Sequence, residues 1–351
     1  MHMADALISP IVGGTMFSAT AGIATYSVKK LQNELDDKKI PLMGVMGAFV
    51  FAAQMINFSI PGTGSSGHIG GGLLLAILLG PCAGFLTMAS VLLIQALFFA
   101  DGGLLAFGAN VFNLGFYTCF IAYPLIYKGI MKKGYSSRKI FSASIIASII
   151  GLQMGAFSVV LETLFSGKTE LPFGNFVMLM QPIHLAIGIV EGLVTAAVVS
   201  FVWKARPEII EKSSLRQPLG NVSIKKVFIM IITSVIIVGG ILSSFASSNP
   251  DGLEWAMIKT SGTSELKTTG SIHAKLSEIQ NKLAFLPDYS FKASKVIDKE
   301  ENEEKEEVVA GINAQTSASG ILGGIMTLVL AALTGLVITF FRRRKRKAKP
   351  I

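Results

Sequence analysis

The 351-residue chain predicts an all-α integral membrane protein of about nine transmembrane helices, and three observations carry that prediction. Hydrophobic residues make up 51% of it and charged residues only 15%, with a mean hydropathy of +0.59. A soluble domain carries about 25% charged residues. Apolar runs recur along the chain at the length a bilayer demands, about 20 residues. Lys and Arg collect in alternate connectors, as they do where short loops remain on the cytoplasmic side.

Spans are read at 10–28, 41–60, 69–80, 82–100, 104–127, 139–162 and 176–203, with two more at 226–246 and 321–341. The long run "HIGGGLLLAILLGPCAGFLTMASVLLIQALFF" is divided at Gly80-Pro81, because proline removes a helix hydrogen bond and clashes with the preceding turn. The 36 glycines suit close helix packing in a bilayer. Cys82 and Cys119 both fall in apolar stretches and are expected as packed thiols. No Lys or Arg occurs in the first ten residues, so no secretory n-region is expected.

With the N-terminus outside, the inner connectors are 29–39, 128–138, 204–225 and the tail from 342. Within one residue at their edges they carry 4, 5, 6 and 7 Lys/Arg, which is 22 of the chain's 31. The outer connectors 61–68 and 101–103 carry none, 163–175 carries Lys168 alone, and 247–320 carries eight. The expected orientation in the cell membrane is therefore N-terminus outside and C-terminus cytoplasmic. The net charge of +9 is a topology signal and not a nucleic-acid patch. The chain divides into a seven-span unit at 1–205, a cytoplasmic linker at 206–225 and a two-span unit at 226–351. The last encloses a polar extracytoplasmic segment, 247–320, and ends in the basic tail. The acidic run Asp298–Glu307 reads as a solvated stretch.

Four histidines are present, and topology puts His2 and His68 on the same outer face. The amine of Met1, the amide nitrogen of His2 and the His2 imidazole can close a five-membered and a six-membered chelate ring on one ion. If His68 meets that claw, the set is four nitrogens held nearly flat. Such a set suits Ni(II) or Cu(II) and also accepts Co(II). Zn(II) prefers a tetrahedron and Mg(II) or Ca(II) oxygen. Taken singly, His2 is accounted for by chance and His68 by a turn hydrogen bond; their common face makes them candidates. Asp5 and Ser66 are candidates to orient the imidazoles, or else a cap for the first helix and a turn residue. His184 and Glu191, seven apart, share one face of a span, where ionisable groups are costly. Asn110 and Asn113 also share a face, as interhelical hydrogen bonders. Gly14, Ser18 and Gly22 form a small-residue stripe for close contact with a partner, or for internal packing.

"MHMADALISP", "GTGSSGHIGGGLLLAILLGP" and "HLAIGIVEGLVT" together resemble the CbiM/NikM family, the metal-specific S component of energy-coupling factor transporters. The resemblance covers roughly residues 1–205. "NPDGLEWA", Asn249 to Ala256, is similar to the small N component of the PDGLE type, so the chain resembles a fused M-plus-N protein. The resemblance implies metal held by Met1, His2 and His68, no resident cofactor, and Ni(II) or Co(II) as the transported substrate, with the fusion tilting toward nickel. It also implies an integral T component and two cytoplasmic ATPase subunits as partners. Many members read "MHI" where this chain has Met3, and Ala4, Asp5 and Ala6 also depart from their usual start. The chain has no G-x-x-x-x-G-K-[ST] loop, so ATP hydrolysis falls to those partners. Two other classes remain open: a stand-alone secondary carrier, and an intramembrane metalloenzyme, which the absence of H-E-x-x-H opposes.

Overall fold

Glycine and proline set helix boundaries that hydropathy places only loosely. The computed structural model describes residues 2–34, 36–215, 217–266, 270–291 and 314–347. The acidic run from Asp298 to Glu307, like Met1, lies outside the described residues. Helix α1 is Pro10–Glu34 and α2 is Lys39–Gln54. A hairpin follows, with β1 Phe58–Ile60 antiparallel to β2 Ser65–Gly67. Then come α3 Gly72–Leu79 and α4 Pro81–Phe98, parted by Gly80 at φ 88°. One helical rod, α5, runs over Phe107–Met131, with wide π-helical turns from Phe112 to Tyr127 around Pro124. The first unit closes with α6 Ser137–Phe165 and α7 Phe173–Ala205. Short α8, Pro207–Ser214, leads to α9 Lys225–Gly240. Then α10 Gly252–Ser261 and α11 Ser271–Leu283 precede α12 Ala314–Lys347.

Among the described residues six stretches are long and apolar enough to cross a membrane: α4, α5, α6, α7, Lys225–Phe245 and Gln315–Arg344. This is an all-α membrane protein, but the expected nine spans are not matched one for one. The expected span 41–60 ends as helix at Gln54, because the chain turns into the hairpin. The expected span 69–80 holds only eight helical residues, about 12 Å of rise. The stretch before it is extended, and Gly71 turns it at φ 81°. Helix α1 is long enough but too polar for the set of six.

Packing explains the glycines at helix crossings. A Cβ on Gly192 would stand 2.5 Å from the Ile145 backbone, and one on Gly188 2.9 Å from that of Ile149, so α7 and α6 touch along their main chains. Helix α12 lies as closely on α2, where a Cβ on Gly44 would meet the Leu328 carbonyl at 2.9 Å. Close approach of this kind drives association where lipid and side chain are equally apolar. Cys82 and Cys119 are buried and not joined in a disulfide.

The connectors gather at two ends of the bundle. At one end Ser9 N–H donates to Ser166 Oγ (2.9 Å) and Ser247 N–H to the Asn57 carbonyl (2.7 Å). At the other, Leu219 N–H donates to Asp36 Oδ2 (2.7 Å), Lys128 Nζ to the Ser214 carbonyl (2.8 Å) and Arg343 to Asp37 (2.6 Å). The Lys/Arg-rich connectors share the second end.

Candidate metal site

The N-terminal segment is fastened before α1 begins. Met3 N–H donates to Asn110 Oδ1 (2.8 Å), and Asn110 Nδ2 returns a bond to the Met3 carbonyl (3.1 Å). Gly103 N–H adds a second bond to that carbonyl (2.8 Å). Met3, Leu7 and Ile8 are all buried and anchor the segment by their side chains. Asn110 therefore ties the N-terminus down and does not bridge two spans; Asn113 does, donating to Glu162 Oε2 on α6 (2.8 Å).

Asp5 corrects both of its expected roles. Its Oδ1 accepts the N–H groups of Leu105 (2.7 Å) and Ala106 (3.0 Å), so it orders the entry to α5. It neither touches an imidazole nor caps α1. Burial raises its pKa against the pull of those bonds. The start of α1 is instead met by Ser9, whose Oγ accepts Val12 N–H at 3.4 Å.

The second histidine rides on a loop that enters the bundle. Backbone at such depth needs internal partners. Glu191 supplies them: its carboxylate accepts Gly70 N–H (2.8 Å) and Gly71 N–H (3.1 Å), while Gln54 Nε2 donates to the Gly70 carbonyl (2.8 Å). Gly72 admits no side chain, since a Cβ would stand 2.2 Å from Thr118 Oγ1. His184 shares the α7 face with Glu191 but bonds separately, to the Met180 carbonyl (2.8 Å).

His2 and His68 come together. Their rings stack with centroids 5.1 Å apart and planes 9° from parallel. His68 Nδ1 donates to the Ile69 carbonyl (3.1 Å), which leaves Nε2 carrying the lone pair. Burial, with His2 beside it, pushes the His68 pKa down to about 3, so the ring is neutral and able to ligate. The His2 side chain is 4% exposed, and its Nδ1 lies 3.0 Å from Asp101 Oδ1. Its Nε2 is buried with no hydrogen-bond partner among the described residues. Burial works to raise the Asp101 carboxyl; His2 beside it and the bonds from His2 and Tyr289 outweigh that and hold it below the usual carboxylate range.

Both rings open on a cavity of about 340 Å³ that Asp101, Asp251, Glu254 and Tyr289 also line. Three of these four come from the second unit, and the sequence reading singled out none as a site residue. A signal existed for two of them, inside "NPDGLEWA". Asp251 and Glu254 stand three apart, the spacing of a capping box. Asp251 Oδ1 accepts Leu253 and Glu254 N–H (2.8 Å each), and Glu254 Oε2 accepts Asp251 N–H (3.1 Å). Gly252 permits contact with α7, where a Cβ would stand 2.4 Å from Ile183 Cγ2.

Ser66 likewise departs from its expected role beside the imidazoles. Its hydroxyl donates to the Asn249 carbonyl (2.8 Å) and its N–H to that of Pro250 (2.8 Å), joining the His68 hairpin to the second unit. Trp255 Nε1 adds a bond to the Thr63 carbonyl (2.9 Å). The fourth histidine, His273 on α11, donates from Nε2 to the Ile8 carbonyl (2.9 Å). Gly14, Ser18 and Gly22 face outward on α1, with nothing within 4 Å of a Cβ at either glycine. Among the described residues no three His, Cys, Asp or Glu side chains are grouped to hold a metal. Two imidazoles and the carboxylates that line the same cavity are what the side chains offer.

Residues 2–209 match the family model described as cobalt uptake substrate-specific transmembrane region, and residues 225–340 match the PDGLE domain. A metal transport protein of Haloquadratum walsbyi is 37% identical over 212 residues, covering 60% of this chain and 93% of that one. A fused nickel transport protein, NikMN, of Rhodobacter capsulatus is 33% identical over 222 residues, 60% of this chain and 64% of that one. A crystal structure of a transition metal transporter superposes with a TM-score of 0.52 at 31% identity, covering 62% of this chain and all of the other.

Proposed function

Because the chain belongs to the family of cobalt uptake substrate-specific transmembrane regions and carries a PDGLE domain, we propose that it is the substrate-capture membrane subunit of an ATP-driven importer of Ni(II) or Co(II). The observation that carries this reading is the stacked pair of His2 and His68 beside an acidic cavity. The proposed ligands are the Met1 amine, the His2 amide, the His2 Nδ1 and the His68 Nε2. The fused relative's name as a nickel transport protein favours nickel as the cargo.

The partners proposed are an integral T component and two cytoplasmic ATPases of the energy-coupling factor type. The open Gly14, Ser18 and Gly22 face of α1 suits the T component, since the Ser18 hydroxyl is satisfied by the Gly14 carbonyl (2.8 Å) and leaves a smooth surface. The N-terminus and the cavity face outward and the Lys/Arg-rich end faces the cytoplasm. A cysteine placed at the exposed Leu215 should label in right-side-out cells only after permeabilisation.

The deciding experiment adds one residue before Met1. That displaces the amine and leaves every side chain intact. Metal content and uptake of the extended protein should collapse. If it binds Ni(II) as tightly as wild type, the claw is wrong. Wild-type affinity should also fall with pH, because protons compete for the ligands.

A further inference from the structure

Three non-glycine residues have left-handed backbone among the described residues: Ala100 (φ 54°), Asp288 (φ 49°) and Tyr289 (φ 61°). Side chains crowd the backbone there, and such residues persist only where surroundings hold them; they gather at clamps and switches. All three sit in one contact between the two units. Leu286 N–H donates to the Phe98 carbonyl (3.2 Å) and Asp288 N–H to that of Phe99 (2.9 Å). The Phe99 and Tyr289 rings stack at 5.0 Å.

What this contact holds is Asp101. Tyr289 O–H donates to its Oδ2 (2.5 Å), and Gln95 Nε2 donates to the Tyr289 oxygen in turn (3.2 Å). The other carboxylate oxygen faces His2 Nδ1 at 3.0 Å. The six-membered chelate ring needs that same nitrogen, which has one in-plane position and cannot serve hydrogen bond and metal together.

We propose that Asp101, set by Tyr289 and the strained contact around it, is a latch on His2 Nδ1 through which the second unit governs metal loading. The inference rests on the claw proposed above. While latched, the Nδ1–H points at Asp101 and the ring stays open. When the contact relaxes, the carboxylate withdraws, the imidazole changes tautomer as its proton passes by way of solvent from Nδ1 to the unpartnered Nε2, and the metal takes the Nδ1 lone pair. Tyr289 is a positioning residue that never touches the metal.

Two substitutions move the latch in opposite directions. Tyr289→Phe removes the bond that holds Asp101 and leaves the charge in place. A hydrogen bond to a charged group is worth about tenfold or more, so Ni(II) should load about tenfold faster. Ala100→Gly relieves the strain of the latched state and should slow loading about threefold. The test is stopped-flow Ni(II) binding to the full chain with its authentic N-terminus in lipid nanodiscs. Alongside it, the ¹⁵N resonance of His2 Nδ1 in the metal-free protein should move away from its hydrogen-bonded position in Tyr289→Phe. A structural change elsewhere would leave that resonance in place. Unchanged or slower loading in Tyr289→Phe, faster loading in Ala100→Gly, or an unmoved resonance overturns the latch. Should one variant fail to fold, the other decides alone. Normal Ni(II) binding by the N-terminally extended protein would instead remove the claw; loss of binding there with unaltered Tyr289→Phe rates removes the latch only.

Discussion

The cavity has two walls, and they are built differently. The first unit presents His2 and His68 from inside the bundle, each fastened by buried hydrogen bonds to Asn110, Glu191 and Gln54. The second unit presents Asp251, Glu254 and Tyr289 from short helices and turns laid over the bundle end. These touch it through carbonyls and N–H groups of the hairpin and of the segment before α5. Much of α11 is open: Ile272 and Ile279 are each 47% exposed. The wall with the imidazoles is costly to deform, because any shift strands buried polar groups. The wall with the carboxylates can lift at the price of a few hydrogen bonds and the one buried face of α10, with Leu253 and Met257. Ligand geometry therefore belongs to the first unit, and access and charge to the second.

Glu191→Leu gives the largest expected effect and tests the rigid wall. It strands two buried N–H groups, at about 1–3 kcal/mol each, and frees the loop that carries His68. Ni(II) affinity measured by calorimetry should drop at least about a hundredfold, the factor that corresponds to about 2.7 kcal/mol. An affinity within tenfold of wild type would mean that the loop does not depend on this carboxylate.

Gly252→Val tests the other wall. Its side chain would meet Ile183 and lift α10, at about 1–3 kcal/mol for an overpacked contact. With the Asp251 and Glu254 carboxylates drawn off the cavity and the Tyr289 contact left in place, loading should slow several-fold, while equilibrium affinity changes less than in Glu191→Leu. Fluorescence of Trp255, in a Trp203→Phe background, should report its exposure. If affinity falls as far as in Glu191→Leu, the two walls are not distinct.

Acid should act on the first wall before the second. His68 has its pKa lowered from 6.5 to about 3 by burial. Between these values the unfolded chain binds a proton there and the folded chain does not. The stability it contributes is therefore complete above 6.5 and is lost as pH falls toward 3. Thermal unfolding of metal-free protein should show a falling midpoint between pH 6.5 and 4, and His68→Gln should flatten that slope. An unchanged slope would place the acid sensitivity elsewhere. The smallest effect belongs to Trp255→Phe, which removes one bond to the Thr63 carbonyl and should cost about 1 kcal/mol of docking. Protease cleavage between 262 and 270 should rise modestly; no rise would show that the capping box and Ser66 suffice.

Composition and hydropathy by themselves determined the helical membrane class, because the bilayer constrains every residue of a span in the same way. The break at Gly80-Pro81 was legible too, since proline and glycine act on their own backbone. So was the meeting of His2 and His68, expected on one face from the two spans read between them; their rings stack. Tertiary structure alone decided what surrounds them. Tyr289 and Asp101 are 188 residues apart, and Ser66 and Asn249 are 183 apart. Neither pair leaves a periodicity or a spacing behind. Asp5 looked like a helix cap because capping is local; it serves Leu105 and Ala106 because the fold brings those N–H groups to it. The hairpin cut short the second span for the same reason. A run of apolar residues records that a segment is buried, and only the packed bundle records whether lipid or protein buries it.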